Sequence, residues 1–291
     1  MFNLDAVQAA LRESGFDGWL LYDFRGSNIL AQRVVDLSEK KLSRRWVYYV
    51  PANGEPKKLV HAIEPAALDH LPGSAKTVYR RWQDLETGVG ELVIGAKKVA
   101  MEYSPRNANP YIGRVDAGTV ELVQSYHVEL VPSGDLIQMF EATWDDAQVA
   151  SHFEAAKHCR SAYDVAFQFI ADEIRAKGSV TEGAVQTRIM KHFADHGLTT
   201  YSPPIVGVGP HSGDPHYETT ATSNSPIQPG DFVLIDLWAK QNKPRAVYAD
   251  YTRVAFVGAS VPEKYSKIFA IVAAPRDAGI ACVKEAFSKN E

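Results

Sequence analysis

The chain has 291 residues, enough for about two domains, and its 45% hydrophobic and 23% charged residues are typical of a soluble globular protein. A net charge of −4 argues against nucleic-acid binding, and no stretch approaches the roughly 18 uninterrupted apolar residues of a membrane span. Because the N-terminus lacks the pattern of a signal peptide and the two cysteines form no metal or redox motif, we expect a cytoplasmic protein.

The first part of the sequence predicts an α/β domain over residues 1–132. Apolar spacing predicts a helix over residues 4–14, and residues 19–22 have the pattern of a buried strand. Strands are expected near 46–50 and 58–62, because the hairpin-turn signal Asn53-Gly54 lies between them. We expect two more strands, at 98–101 and 120–123.

A second domain is expected over residues 133–291. Long helical patterns cover residues 145–177 and the segment that begins after Thr181, and two strands are predicted at about 231–238 and 246–257. A capping box that ends at Glu263 opens a last helix, which Pro275 should kink or break.

The two predicted strands of the second domain each carry an aspartate, Asp236 and Asp250. A simple hairpin folded at its midpoint, residue 243, would set these two carboxylates directly opposite each other on one face. Acids that close need a shared proton, a basic partner or a metal ion. The alternative is that one acid is exposed, or that a bulge turns it to the other face.

A loop rich in glycine and proline precedes this hairpin and presents two histidines, His211 and His216. His216 follows Pro215, which stiffens the chain, and its imidazole could hydrogen-bond a carbonyl oxygen or move a proton. For His211 we favour an incidental position in a surface loop. His192 and His196 are spaced as one helical turn, but no third ligand is evident, which argues against a zinc-peptidase helix.

Three segments in this order, Pro215-His216-Tyr217, Gly230 to Asp236 and Asp250 to Arg253, resemble the prolidase, aminopeptidase P and creatinase family of metallopeptidases. The resemblance implies an N-terminal creatinase-like α/β domain followed by a catalytic domain with the pita-bread fold. It also implies two divalent metal ions (Mn, Co or Zn), with Asp236 a ligand of one ion and Asp250 a ligand that bridges both.

By the same resemblance, His216 would contact the substrate, and Thr252 would support the metal site. The implied reaction is hydrolysis of an amide bond, often the bond before a proline, in a peptide or a small amide substrate; a homodimer is compatible with it. The family completes its site with one histidine and two glutamates further along. No histidine follows His216 here, so we expect a truncated member with an incomplete, inactive site.

Two other functions remain open from the sequence. One is a non-catalytic pita-bread module that binds peptides or proteins, although such a module has no chemical need for the aspartates and the loop histidine. The other is creatinase-like hydrolysis of a C–N bond in a small molecule. The sequence alone does not choose between peptide and small substrate, nor among the three metals.

Overall fold

The computed structural model describes residues 2–38 and 40–289. The chain divides into two compact units, Met1–Trp144 and Asp145–Glu291. Within the described ranges, no helix combines the length and the apolar character needed to cross a membrane.

The first unit is built on a six-stranded mixed sheet with the strand order β4-β3-β2-β1-β5-β6. Strands β1, β2 and β3 pair antiparallel, whereas the β3–β4, β1–β5 and β5–β6 pairs are parallel. The strands are β1 (Gly18–Asp23), β2 (Trp46–Pro51), β3 (Lys57–His61), β4 (Ala75–Tyr79), β5 (Lys98–Met101) and β6 (Glu129–Pro132). The helices are α1 (Leu4–Glu13), α2 (Ile29–Val34), α3 (Trp82–Leu92), α4 (Ala117–Gln124) and α5 (Gly134–Ile137).

Both faces of this sheet are covered, because every residue of the central strand β1 is buried. Successive side chains of a strand point to opposite faces. Trp19 and Leu21 belong to one apolar cluster, which includes residues of α1 and α2, and Leu20 belongs to another, which includes residues of α3 and α4. The unit is therefore a three-layer α/β structure.

Two details of the first unit differ from the sequence-based predictions. Residues 120–123 form part of α4 rather than a strand, because Asp116 caps the helix by accepting a hydrogen bond from the Thr119 backbone N–H. Val120 and Val123 are then spaced for one helical face. The second detail is where the first unit ends. Leu136 and Ile137 are buried in its core, so the unit extends beyond residue 132, the predicted end of the first domain, to Trp144.

The second unit combines three helices with a small antiparallel sheet whose central strand is β11 (Phe232–Gln241). Its helices are α6 (Asp146–Lys177), α7 (Glu182–Asp195) and α8 (Glu263–Lys289), and its strands are β7 (Val180–Thr181), β8 (Leu198–Thr199), β9 (Ile205–Val208), β10 (Pro226–Ile227), β11 (Phe232–Gln241) and β12 (Ala249–Phe256). Strand β11 pairs with β12, β9 and β8.

Strand β11 has one buried face and one open face. Val233, Ile235, Leu237 and Ala239 are fully buried in the core that includes residues of α6 and α7. The residues between them are only partly buried, and Asp236 and Trp238 are two of these. This alternation directs the Asp236 carboxylate away from the core.

Helix α8 is unusual in that none of its described residues is buried. Its exposed large apolar side chains are Ile268, Phe269, Ile271, Val272, Ile280, Val283 and Phe287. Of the two outcomes predicted for Pro275, a kink or a break, the break is wrong, because the helix runs through the proline. A proline removes one backbone hydrogen bond, and the preceding Ala273 and Ala274 are strong helix formers that favour continuation.

Candidate functional site

A cavity of about 450 Å³ in the second unit is lined by His216, Asp236 and Asp250. The three residues come from different elements: Asp236 from β11, Asp250 from β12, and His216 from the loop that follows a short 3₁₀ helix at Gly209–Gly213. Tyr201 and Trp238 form an aromatic wall, with their ring centroids 5.7 Å apart. The structure thus brings together the three residues singled out from the sequence.

The pairing of β11 with β12 corrects the predicted arrangement of the two acids. Asp236 lies opposite Thr252, and Asp250 lies opposite Trp238, so the prediction that the aspartates face each other directly is wrong. They are diagonal neighbours. Because the register differs from the predicted one by an even number of residues, both carboxylates still lie on the same face of the sheet.

The register differs because the connection is not a symmetric hairpin centred on residue 243. The ladder between the strands ends at the pair Ala239 and Ala249. Beyond it, Lys240 and Gln241 pair with β8 instead. Hydrophobic periodicity does not reveal this change of partner strand.

The two carboxylates lie in an electrostatic environment that lacks a basic partner. None of the described residues lining the cavity is a lysine or arginine, and His216 is the single basic side chain among them. Although Asp250 is exposed on its open side, partial burial and, second, the negative charge of Asp236 raise its pKa. The site is therefore short of positive charge, and a divalent cation would supply it.

A hydrogen bond holds the Asp236 carboxylate in place. The Thr252 hydroxyl donates to Asp236 Oδ1 at 2.7 Å, from the position directly across the two strands. This contact orients Asp236 and leaves its other oxygen, Oδ2, for a ligand.

Tyr163 of α6 supports the two strands from the core side. It is fully buried, and its hydroxyl donates to the Ile235 carbonyl at 3.3 Å and to the Tyr251 carbonyl. One acceptor belongs to β11 and the other to β12, so this side chain joins both strands next to the aspartates. Burial and, second, the charge of Asp236 raise the pKa of Tyr163, which keeps the phenol protonated as a donor.

Glu182, the first residue of α7, organises the loop that carries His216. Its carboxylate is completely buried. It accepts hydrogen bonds from the Val208 N–H (2.8 Å), His211 Nδ1 (2.9 Å), the Tyr217 hydroxyl (2.7 Å) and the Ser225 N–H (2.7 Å). Four donors converging on one buried carboxylate fix both ends of the loop.

Glu182 was not predicted as a site-supporting residue, because an acid in the first turn of a helix is ordinary. His211 is also more than an incidental surface histidine: it contacts Glu182, and its ring stacks on Tyr217 with centroids 4.2 Å apart. Neither residue lines the cavity. Glu218 does line it, and no motif in the sequence pointed to this residue.

Comparison with known families finds a match within the second unit. A profile of metallopeptidase family M24 matches residues 151–289, a range that contains both aspartates and the loop histidine. This part of the chain is therefore similar to that family. The M24 region accounts for α7, the sheet around β11 and α8, and for all of α6 but its first turn.

Solved structures show that the similarity in fold extends over both units. The chain is similar to the prolidase from Pyrococcus horikoshii (16% identity, TM-score 0.58), which it matches over 94% of its own length and 70% of that chain. It is similar to dipeptidase PepE from Mycobacterium ulcerans (21%, 0.63, covering 89% and 65%) and to an Xaa-Pro dipeptidase from Bacillus anthracis (19%, 0.58, covering 93% and 68%). A comparison with curated proteins finds no match.

The predicted fold class is confirmed. The protein has mixed α/β architecture and resembles pita-bread M24 structures over part of their length. At these identities the resemblance concerns the fold, and it leaves the chemistry to the residues of the cavity.

Proposed function

We propose that this protein is a metal-dependent hydrolase of the Xaa-Pro peptidase type, in which Asp236 and Asp250 hold divalent metal ions and His216 contacts the substrate. The observation that carries the proposal is the pair of carboxylates on one sheet face, lining a cavity whose described lining includes no lysine or arginine. The family match and the peptidase names of the structural neighbours agree with it.

The donor set suits the proposed metals. Carboxylate oxygens accept Mn²⁺, Co²⁺ and Zn²⁺. Partial burial and, second, the negative charge of Asp236 raise the pKa of Asp250, and a bound cation would offset both effects. When bound, such ions act as Lewis acids and lower the pKa of a coordinated water.

The protein side chains have three tasks in this proposal. Thr252 keeps the Asp236 carboxylate oriented. His216 donates a hydrogen bond to the carbonyl oxygen of the substrate amide, because an imidazole N–H stabilises charge that develops there. The wall of Tyr201 and Trp238 packs against an apolar ring or side chain next to the scissile bond and excludes water from it.

The ligand count limits what the described part of the chain can do alone. Among the described residues, no third histidine, cysteine, aspartate or glutamate offers a ligand atom grouped with those of Asp236 and Asp250. Two carboxylates balance the charge of one ion but leave most of its coordination sites to water. A second ion would add cation–cation repulsion, so we expect weak binding of a single ion and slow hydrolysis.

The test is to titrate the metal-free protein with Mn²⁺, Co²⁺ and Zn²⁺ by calorimetry and to assay Xaa-Pro dipeptides in parallel. Asp250→Asn and Asp236→Asn should each abolish metal binding at the cavity. His216→Ala should leave metal binding intact and lower turnover. The matched control is Asp172→Asn, an exposed acid on α6 that pairs with Arg175.

Unchanged Mn²⁺ binding in both aspartate variants would contradict the metal assignment. Peptide binding without turnover, equal in the variants and the unaltered protein, would instead favour a non-catalytic peptide-binding module. Hydrolysis of small C–N substrates in place of Xaa-Pro dipeptides would keep the metal site and change the substrate.

A further inference from the structure

Three histidines meet on the surface formed by α6 and α7, outside the cavity. His192 lies in the last turn of α7, His196 is the residue that follows the end of that helix, and His158 reaches them from α6. One nitrogen of each ring lies within 4.8 Å of a nitrogen of the other two. The His196 ring centroid is 4.3 Å from that of His158 and 4.2 Å from that of His192. The structure thus supplies the third imidazole that the sequence did not reveal.

Each of these rings has one nitrogen next to an oxygen acceptor. His158 Nε2 lies 2.9 Å from Glu154 Oε1, and His196 Nδ1 lies 2.8 Å from the His192 carbonyl oxygen. His192 Nε2 lies 3.0 Å from Ser161 Oγ and 3.3 Å from the His158 carbonyl oxygen.

A neutral imidazole has one N–H and one lone pair. When the N–H donates to these acceptors, the lone pair of each ring remains on the other nitrogen. Histidines that bind metals typically have this arrangement, in which a carboxylate or carbonyl accepts from the nitrogen that does not bind the ion. The Glu154–His158 pair is the carboxylate–histidine version of it.

The closeness of the three rings also favours a bound cation. Three imidazoles this close repel one another when protonated, whereas a cation between their lone pairs is attracted to all three.

We propose that His158, His192 and His196 bind one divalent transition-metal ion of the zinc type, which joins α6 to α7. Imidazole donors select Zn²⁺, Ni²⁺, Co²⁺ or Cu²⁺ over Mg²⁺, Ca²⁺ and Mn²⁺, so the site differs from the carboxylate site in metal preference. A water molecule completes the four-coordinate shell, or the Glu154 carboxylate does so by leaving His158 and binding the ion directly.

The three imidazole rings need to move only a short distance to bind one ion. A tetrahedral zinc site with Zn–N bonds of about 2.05 Å places its nitrogens about 3.3 Å apart. One nitrogen of each ring already lies within 4.8 Å of one nitrogen of each of the other two. His196 is exposed and the other two rings are half-buried, so side-chain rotation can bring them together without moving the helices.

The test measures zinc binding by competition with a coloured chelator. The background is the Asp236→Asn/Asp250→Asn double variant, which removes the carboxylate site. We expect one zinc ion per chain, an affinity at least tenfold lower in His196→Ala and in His192→Ala, and a loss of about 10- to 100-fold in Glu154→Gln, which removes the outer carboxylate. The control is His127→Asn in the first unit, where φ is 61° and asparagine is tolerated.

Equal zinc affinity in the two histidine variants and in the control would overturn the proposal, as would the absence of zinc binding in this background. His196 is exposed, so its removal leaves the core intact. X-ray absorption on the zinc-loaded background protein provides a second measurement. Scattering from about three imidazoles supports the site, and a shell of oxygen ligands alone refutes it.

Discussion

Without metal, the Asp250→Asn variant should be more stable than the unaltered protein. With metal present, the variant should be the less stable of the two. In the folded state Asp250 is partly desolvated and faces the charge of Asp236, and both effects raise its pKa. An acid whose pKa is raised by folding opposes folding when it is ionised. Asparagine has nearly the same shape and carries no charge, so it removes this cost.

The structure gives the size of the effect. The two aspartates are diagonal neighbours across β11 and β12, a geometry in which side chains lie about 7 Å apart. At that distance two charges repel by about 0.6 kcal/mol in water and about 2.4 kcal/mol at an effective dielectric constant of 20. Because Asp250 is exposed on one side, we expect a value near the lower limit, about 1 kcal/mol, or about 2 to 4 °C in Tm.

The dependence on pH follows from the direction of the shift. A carboxyl group with a raised pKa in the folded state binds more protons there than in the unfolded chain. Stability therefore falls as the pH rises from below the ordinary aspartate value of 3.8 until it is above the folded-state pKa. The advantage of Asp250→Asn should be full at pH 7 and should disappear near pH 3, where the Asp250 carboxyl group is largely protonated in the folded and the unfolded chain alike.

The assay is urea unfolding at low ionic strength in a chelator, repeated with saturating Mn²⁺. Ligand binding stabilises the unaltered protein by an amount that grows with the ratio of Mn²⁺ concentration to Kd, whereas Asp250→Asn gains little. The order of stability should therefore reverse between the two conditions, and Asp172→Asn should show no reversal. A metal-free Asp250→Asn that is less stable than the unaltered protein at pH 7 would refute the claim that the two acids repel each other.

Three further changes test how the site is supported. Glu182→Gln should lower the free energy of unfolding by about 2 to 3 kcal/mol. The four donors now share two carboxylate oxygens, and in glutamine an NH2 group, which cannot accept, would replace one of them. Urea unfolding measures this loss, and a value below about 0.5 kcal/mol would contradict the expectation. Thr252→Val should weaken Mn²⁺ binding about tenfold while changing stability by less than about 1 kcal/mol, since it removes the hydrogen bond that orients Asp236; equal calorimetric affinities would show that this bond is not needed. Tyr163→Phe should lower stability by about 1 to 2 kcal/mol, because it removes the hydroxyl that donates to both strands. Amide hydrogen exchange should become faster in β11 and β12 only. Unchanged exchange in these strands would argue against the role of Tyr163 in joining them.

The sequence predicted the parts of the site that depend on local pattern. The apolar run before Asp236 predicted a strand, and Pro215 beside His216 predicted a stiff loop near it. The register was not predictable from periodicity alone, because a shift of two residues leaves every side chain on the same face, and because β8, the two-residue strand that pairs with the end of β11, was not predicted. A strand that short leaves no periodic signal.

Long-range contacts account for most of what was missed. Glu182 accepts hydrogen bonds from residues up to Ser225, and its buried position follows from packing rather than from its neighbours in sequence. The same holds for His158, whose nearness to His192 and His196 requires α6 and α7 to pack side by side. Residues 120–123 illustrate the opposite problem: a four-residue segment with three apolar side chains fits a strand or a helix, and the Asp116 cap decides between them.

The alternation along β11 explains why the core and the candidate site constrain each other. Ile235 and Leu237 are fully buried, and Asp236 lies between them on the open face. A shift of one residue in pairing would place the Asp236 carboxylate in the core and the two apolar side chains in the cavity, at a cost of several kcal/mol. A shift of two residues would keep every side chain on its present face and change only which residues stand opposite. The core therefore fixes the face on which the acids lie, and the Thr252–Asp236 hydrogen bond together with the Tyr163 hydroxyl selects the register within that face.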